Sequence, residues 1–123
     1  VRSTGERRQA VDGTDPVVQL LSRDDELARD QLRDGLEEAA FLEALREVLR
    51  IHLKTLPEDH WRVADARSKV GAALVEQGML DAAEPLLETG YTGLKQALGE
   101  EDPNTREARR RLARWREARD AGA

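Results

Sequence analysis

The sequence has no cysteine, only 3% aromatic residues and no long apolar run. Without cysteine the chain can form neither a disulfide framework nor a thiolate metal site. No apolar stretch approaches the roughly 20 residues that a membrane helix requires. The first ten residues, VRSTGERRQA, also lack the apolar core of a signal peptide. These absences predict a cytoplasmic chain with no segment inserted in a membrane.

The composition favours helix. The chain of 123 residues is rich in alanine, leucine, glutamate and arginine, and its charged fraction is 37%. These residues have high helix propensity, whereas the β-branched and aromatic residues that favour strands are scarce. We therefore expect an all-α protein with one modest core. The net charge of −5 weighs against a nucleic-acid partner, because phosphate binding needs a basic face.

Two segments of the chain resemble each other at a fixed offset. Residues 56–68 read LPEDHWRVADARS and residues 98–110 read LGEEDPNTREARR, so the second copy follows the first after 42 residues. A period between about 20 and 50 residues is typical of repeat arrays, which bury their core between neighbouring repeats and bind partners through an extended surface. The repeat predicts a binding module rather than an enzyme.

Helix boundaries follow from prolines, glycines and capping residues. Residues 1–14 are polar and predict a flexible lead-in, residues 15–119 a single helical repeat domain, and residues 120–123 a short tail. Within the domain the apolar spacing predicts about five helices, over residues 16–33, 36–56, 61–77, 82–98 and 104–118. A polar stretch at 22–26 leaves a break in the first of them open.

Caps and glycines define the later helices more closely. Asp59-His60 is predicted to form the polar entry to the third helix, with His60 hydrogen-bonding there. Asp102 is predicted to cap the last helix and Asp81 the fourth. Gly78 is expected to end the third helix in the left-handed conformation, and Gly99 is expected to stop the fourth helix.

Two further glycines, Gly90 and Gly93, lie inside the fourth helix. Each costs roughly 1 kcal/mol of helix propensity relative to alanine. They therefore predict either a neighbouring helix that approaches closely or a locally frayed helix.

The helix predicted over residues 36–56 has apolar residues on two stripes. One stripe contains five leucines and the other contains smaller or β-branched residues: Leu42, Leu45, Leu49, Leu53 and Leu56, and Ala40, Ala44, Val48 and Ile51. A helix that is apolar on two sides is expected to be covered on two sides. We therefore expect it inside a helical stack.

Residues 67–90 combine small and larger apolar residues in a regular pattern: Arg67, Val70, Gly71, Leu74, Gly78, Ala83, Leu87 and Gly90. This pattern resembles the tetratricopeptide repeat, in which small residues lie where two helices cross. The longer period and the phrase EQGMLDAAEPLLE resemble the kinesin-light-chain type of this repeat. The resemblance implies an α-α superhelical solenoid of about five antiparallel helices, in which helix 16–33 serves as a degenerate partner of residues 35–56.

More narrowly, residues 42–119 resemble the last repeats that follow many bacterial serine/threonine protein kinase domains. The chain has no glycine-rich phosphate loop, no VAIK-like lysine, and no HRD or DFG sequence. The resemblance therefore implies a docking or regulatory segment rather than the kinase itself.

In tetratricopeptide arrays the first helix of each repeat lines the concave binding face. Carried over by position, the resemblance implies partner-binding residues on the third and last helices: Asp65, Ser68, Ala72, Val75 and Glu76, and Glu107, Arg110, Arg114 and Glu117.

No constellation in the sequence points to catalysis, a metal or a cofactor. His52 and His60 are eight residues apart across a proline, which does not match the spacing of helical zinc sites. The carboxylates at 58–59 and 100–102 precede helices, where they are expected to cap. We therefore interpret the chain as a non-catalytic scaffold that binds a protein or peptide.

The last predicted helix is rich in arginine. Residues 106–119 contain seven arginines and two glutamates, a local charge of +5. Three interpretations stay open from the sequence: a solvated cap on the array, a surface for an acidic protein, or a nucleic-acid surface. Trp115 is the only aromatic residue in this segment, which gives little support to base stacking. Self-association through an open end of the array is a further possibility.

Overall fold

The computed structural model describes residues 38–122, which are helical apart from three short connections and contain no strand. The four helices are α1 (Glu38–Thr55), α2 (Trp61–Glu76), α3 (Leu80–Leu98) and α4 (Pro103–Gly122). The all-α prediction is confirmed for this part of the chain. The predicted lead-in 1–14, the helix 16–33 and the first residues of the helix 36–56 lie outside the described residues.

Two of the three predicted helix caps are confirmed. The His60 Nδ1 atom accepts a hydrogen bond from the backbone N–H of Arg62 at 3.1 Å, at the start of α2. At the start of α4, the Asp102 carboxylate accepts from the N–H of Asn104 at 2.9 Å. The predicted Asp81 cap is wrong, because α3 begins at Leu80 and Asp81 lies within its first turn. There the carboxylate faces the positive end of the helix dipole instead.

Both predicted glycine stops are confirmed, and the last helix is longer than predicted. Gly78 has φ +79° and Gly99 has φ +89°, values that side chains other than glycine rarely adopt. Helix α4 continues past Ala118 to Gly122, so residues 120–122 are helical where the sequence predicted a tail. Arg119 supports this extension, since its guanidinium lies 4.8 Å from the centre of the Trp115 ring one turn earlier.

Helices α2 and α3 pack antiparallel at very short range. A Cβ atom added at Gly90 would lie 2.8 Å from the Ala64 carbonyl oxygen and 2.8 Å from the Ser68 nitrogen. One added at Gly93 would lie 2.7 Å from the Ala64 Cβ, and at Gly71 2.7 Å from a Leu87 side-chain carbon. The predicted close approach is confirmed, and the fraying alternative is wrong because α3 is continuous through both of its glycines.

Helix α4 runs antiparallel to α3 and in the same direction as α2. The Trp115 indole N–H donates to the Leu80 carbonyl at 2.9 Å, which ties the second half of α4 to the start of α3. Arg111 connects α4 to Ser68 on α2. The core lies between the four helices and consists mainly of small and aliphatic residues: Phe41, Leu42, Leu45, Val48, Ala66, Val70, Ala73, Leu74, Ala83, Leu87, Leu112 and Trp115.

The expectation that α1 is covered on two sides is met only in part. Leu42, Leu45 and Val48 are buried in the core. By contrast, Ala40 is exposed and the Leu53 side chain is 44% exposed. Burial of α1 is therefore concentrated on one face. No helix among the four combines the length and the apolarity needed to cross a membrane.

Candidate functional site

The seven arginines of α4 fall into groups with different surroundings. Arg111 is 4% exposed, and its guanidinium donates to the Ser68 hydroxyl at 3.0 Å. Its planar group connects the two helices that run in the same direction. Arg111 is therefore part of the packing and cannot meet a partner.

A second group, Arg110 and Arg114, is partly neutralised by an acidic residue of the same helix. The Arg110 guanidinium lies 2.7 Å from the Glu107 carboxylate, and Arg114 approaches it at 3.9 Å. Burial raises the pKa of Glu107, but the hydrogen bond from Arg110 and the charges of Arg111, Arg110 and Arg114 outweigh it, so that the pKa lies below its usual value. Glu107 is thus ionised near neutrality and offsets part of the charge of Arg110 and Arg114.

Three arginines remain exposed without an ion pair in the described part of the chain: Arg106, Arg109 and Arg116. Spacings of three and seven residues place them along one side of α4. We call this surface the arginine face. One acid near this face is Glu100, whose carboxylate is 3.2 Å from the Lys95 ammonium. The pKa of Glu100 is lowered by Lys95 first and by Arg109 to a smaller degree.

Two residues of the predicted concave face, Asp65 and Ser68, are buried in the structure. Ser68 is completely buried beneath Arg111. Asp65 is buried as well, and its carboxylate pairs with the Lys69 ammonium at 2.8 Å. The physical reason is that α2 has neighbours on several sides, since α1, α3 and α4 all pack against it.

The other predicted partner-binding residues differ in accessibility. Ala72, Val75 and Glu107 are half-buried, and Val75 packs against the core. Glu76, Arg110, Arg114 and Glu117 are exposed. The accessible members lie on two separate helices, and the structure adds the arginine face, which the positional carry-over did not include.

A groove between α2 and α3 was not anticipated from the sequence. It has a volume of about 760 Å³ and combines small, polar and acidic residues: Glu58, Asp59, His60, Ala64, Arg67, Glu88, Thr89, Thr92, Gly93, Gln96 and Ala97. Ala64 and Gly93 are in the contact between the helices, so little side-chain volume fills the space there. The signal that could have revealed it is Gly93 followed by Ala97 at i+4, a small-residue stripe on α3.

The described residues contain no cluster of three or more histidine or acidic side chains suited to a metal ion. The two histidines have other surroundings. His60 caps α2, and His52 is half-buried beside a small cavity that Leu45, Val48 and Asp65 also line.

His52 predicts a pH dependence of stability. Burial, followed by the charges of Arg62 and Lys69 and a smaller effect of His60, lowers the pKa of His52, and Asp65 opposes this shift. His52 therefore binds a proton more weakly in the folded chain than in the unfolded chain. The free energy of unfolding is highest above the pKa of the unfolded state, about 6.5, and it decreases as the pH falls through the pKa of the folded state.

Urea unfolding at pH 7.5, 6.5 and 5.5 should therefore show a falling free energy of unfolding. The loss over this window should be smaller in His52→Gln. Equal losses in the two proteins would rule out His52 as the cause.

A comparison with protein-family models finds no matching family, and a comparison with curated proteins finds no match. The resemblance to tetratricopeptide repeats therefore stays a prediction from the sequence.

Proposed function

We propose that this chain is a non-catalytic protein-interaction module of the tetratricopeptide type. Three features support the proposal. Helices α2 and α4 run in the same direction and touch through Ser68 and Arg111, residues 43 apart, close to the 42-residue offset of the repeated segments. Helix α3 lies antiparallel to both of them, and glycines permit the close crossing of α2 and α3. Successive helical pairs of a solenoid have this relationship.

The observation that most strongly supports a binding role is the arginine face. Glu107 offsets part of the charge of Arg110 and Arg114. Arg106, Arg109 and Arg116 form no ion pair among the described residues. Arginine offers a fork of donors that matches a carboxylate, so this surface suits an acidic protein or peptide segment.

The expected affinity is modest and sensitive to salt. Exposed ion pairs contribute about 0 to 1 kcal/mol each, and the Debye length falls to about 8 Å at physiological ionic strength. The arginine face would therefore determine partner orientation and association rate as much as affinity.

A glutamate-rich fluorescent peptide tests this role by fluorescence anisotropy. We expect the double variant Arg109→Gln, Arg116→Gln to bind it about tenfold more weakly than the wild type, which corresponds to two lost charge contacts. The matched control is Arg110→Gln, Arg114→Gln, which changes the net charge equally but removes arginines already paired with Glu107. Equal losses in the two variants would show that only total charge matters.

The same assay separates the protein partner from nucleic acid. A single-stranded oligonucleotide that bound more tightly than the acidic peptide, with a steep salt dependence, would favour the nucleic-acid interpretation. The kinase association is tested differently, by whether the reading frame upstream of Val1 contains HRD and DFG sequences.

A further inference from the structure

Charge is distributed very unevenly along this chain. Helix α4 holds seven arginines against two glutamates and one aspartate, a net charge of +4. Because the whole chain has a charge of −5, the remaining residues together carry −9. A molecule with opposite charges on separate surfaces can attract a second copy of itself in a head-to-tail orientation.

The groove between α2 and α3 provides an acidic surface whose lining contains no residue of the arginine face. Glu58, Asp59 and Glu88 lie along it and are exposed. Glu58 makes a 3.4 Å contact with Arg67, but its side chain remains 81% exposed. Asp59 and Glu88 have no cationic partner in the described residues. The groove therefore has three acidic side chains against one arginine.

Small residues make this groove accessible to a helix. Ala64, Gly93 and Ala97 line it, so a docking helix would meet little side-chain bulk. Thr89, Thr92 and Gln96 add hydroxyl and amide groups that can bond to guanidinium groups. The chemistry of the groove thus fits a helix that presents arginines.

We propose that this groove receives the arginine face of α4 from a second copy of the chain. The occupant is chosen by charge complementarity, since three arginines that form no ion pair among the described residues match three acidic side chains along the groove. Arg109 and Arg116 are seven residues apart, or about 10.5 Å along a helix, so they can contact two points of the groove. The two surfaces differ, so the contact is heterologous and can extend beyond a dimer.

This inference rests on the arginine face described under the proposed function, and it adds a regulatory consequence. When α4 occupies the groove of a neighbour, its arginines are not available to an acidic partner. Self-association and capture of an acidic peptide therefore compete, and each should weaken the other by the same factor.

Sedimentation equilibrium of the full chain from about 10 µM to 1 mM tests the assembly. We expect the average mass of the wild type to rise with concentration and to fall when the salt is raised from 50 to 500 mM. Neutralising the groove (Asp59→Asn, Glu88→Gln) or the arginine face (Arg109→Gln, Arg116→Gln) should each weaken association about tenfold or more. All four side chains are exposed, so both variants should keep the wild-type circular dichroism spectrum.

Mixing the two variants gives the decisive result. The groove variant keeps an intact arginine face and the arginine-face variant keeps an intact groove, so an equimolar mixture should form a one-to-one complex that cannot extend. A wild type that stays monomeric to 1 mM would overturn the proposal. A second contradicting result would be that the groove variant loses association while the arginine-face variant keeps it. Another segment, and not the arginine face, would then occupy the groove.

The outcomes separate this inference from the proposed function. A monomeric wild type that still binds the glutamate-rich peptide would refute self-association and leave the acidic-partner role intact. If association occurs but the peptide does not bind, the arginine face serves assembly and the proposed function fails.

Discussion

Replacing Trp115 by alanine should lower the free energy of unfolding by about 3 to 5 kcal/mol, the range for removing a large aromatic residue from a core. Trp115 is 5% exposed and belongs to the main hydrophobic cluster. Its indole N–H also donates to the Leu80 carbonyl at 2.9 Å, and Arg119 lies over its ring. The substitution therefore leaves a cavity and removes a hydrogen bond between α4 and the start of α3.

Such a loss is large compared with the stability of a small domain, which is typically about 5 to 15 kcal/mol. We expect the low end of that range here, so the variant should be largely unfolded at 37 °C. Urea titration followed by far-ultraviolet circular dichroism measures the loss, because helix content does not depend on the indole signal.

Two further variants serve as controls for Trp115. Trp115→Phe keeps most of the apolar contact and should cost about 1 kcal/mol for the lost hydrogen bond, and somewhat more if the smaller ring packs poorly. Leu53→Ala removes a side chain that is 44% exposed and should have a much smaller effect than Trp115→Ala. A loss below about 1 kcal/mol for Trp115→Ala would show that α4 is not anchored through this residue.

The second large effect is expected at Gly90, where substitution by alanine should destabilise the fold. In an exposed helix this change adds roughly 1 kcal/mol of stability through propensity. Here the new Cβ would lie 2.8 Å from backbone atoms of Ala64 and Ser68, which cannot move aside as a flexible side chain could. Overpacking of this kind costs about 1 to 3 kcal/mol or more, so α2 and α3 must separate and the net effect is a loss.

A graded series tests the explanation. Gly90→Val should destabilise more than Gly90→Ala, because additional atoms enter the same contact. Gly122→Ala makes the same chemical change where no atom lies within 4 Å, and it should be neutral or slightly stabilising. If Gly90→Ala matched Gly122→Ala in thermal unfolding, the close contact between α2 and α3 would be refuted.

The features that could be predicted from the sequence are those that depend on neighbours in the chain. His60 and Asp102 cap their helices because their side chains reach a backbone N–H two residues later. Gly78 and Gly99 end helices because their backbone adopts positive φ. Each of these effects involves only a few consecutive residues, so a local pattern was sufficient.

The sequence was least informative where an effect depends on contacts between helices. Asp65 and Ser68 were predicted to face a partner, but α2 is contacted by three other helices and both residues are buried. Arg110 and Arg114 are exposed and their partner-binding role stays a prediction, but only the structure shows that Glu107 already pairs with them. Positions carried over from a repeat pattern cannot reveal which side chains another helix covers.

The sequence was sufficient to predict the all-α class, the boundaries of the described helices to within a few residues and a close contact at Gly90 and Gly93, because propensity, caps and periodicity act locally. The tertiary structure alone decided which arginines of α4 are buried, paired or exposed, and it revealed the acidic groove between α2 and α3. The physical reason is that burial and charge compensation depend on residues about 40 positions apart, such as Arg111 and Ser68, which only the packing of α4 on α2 brings together.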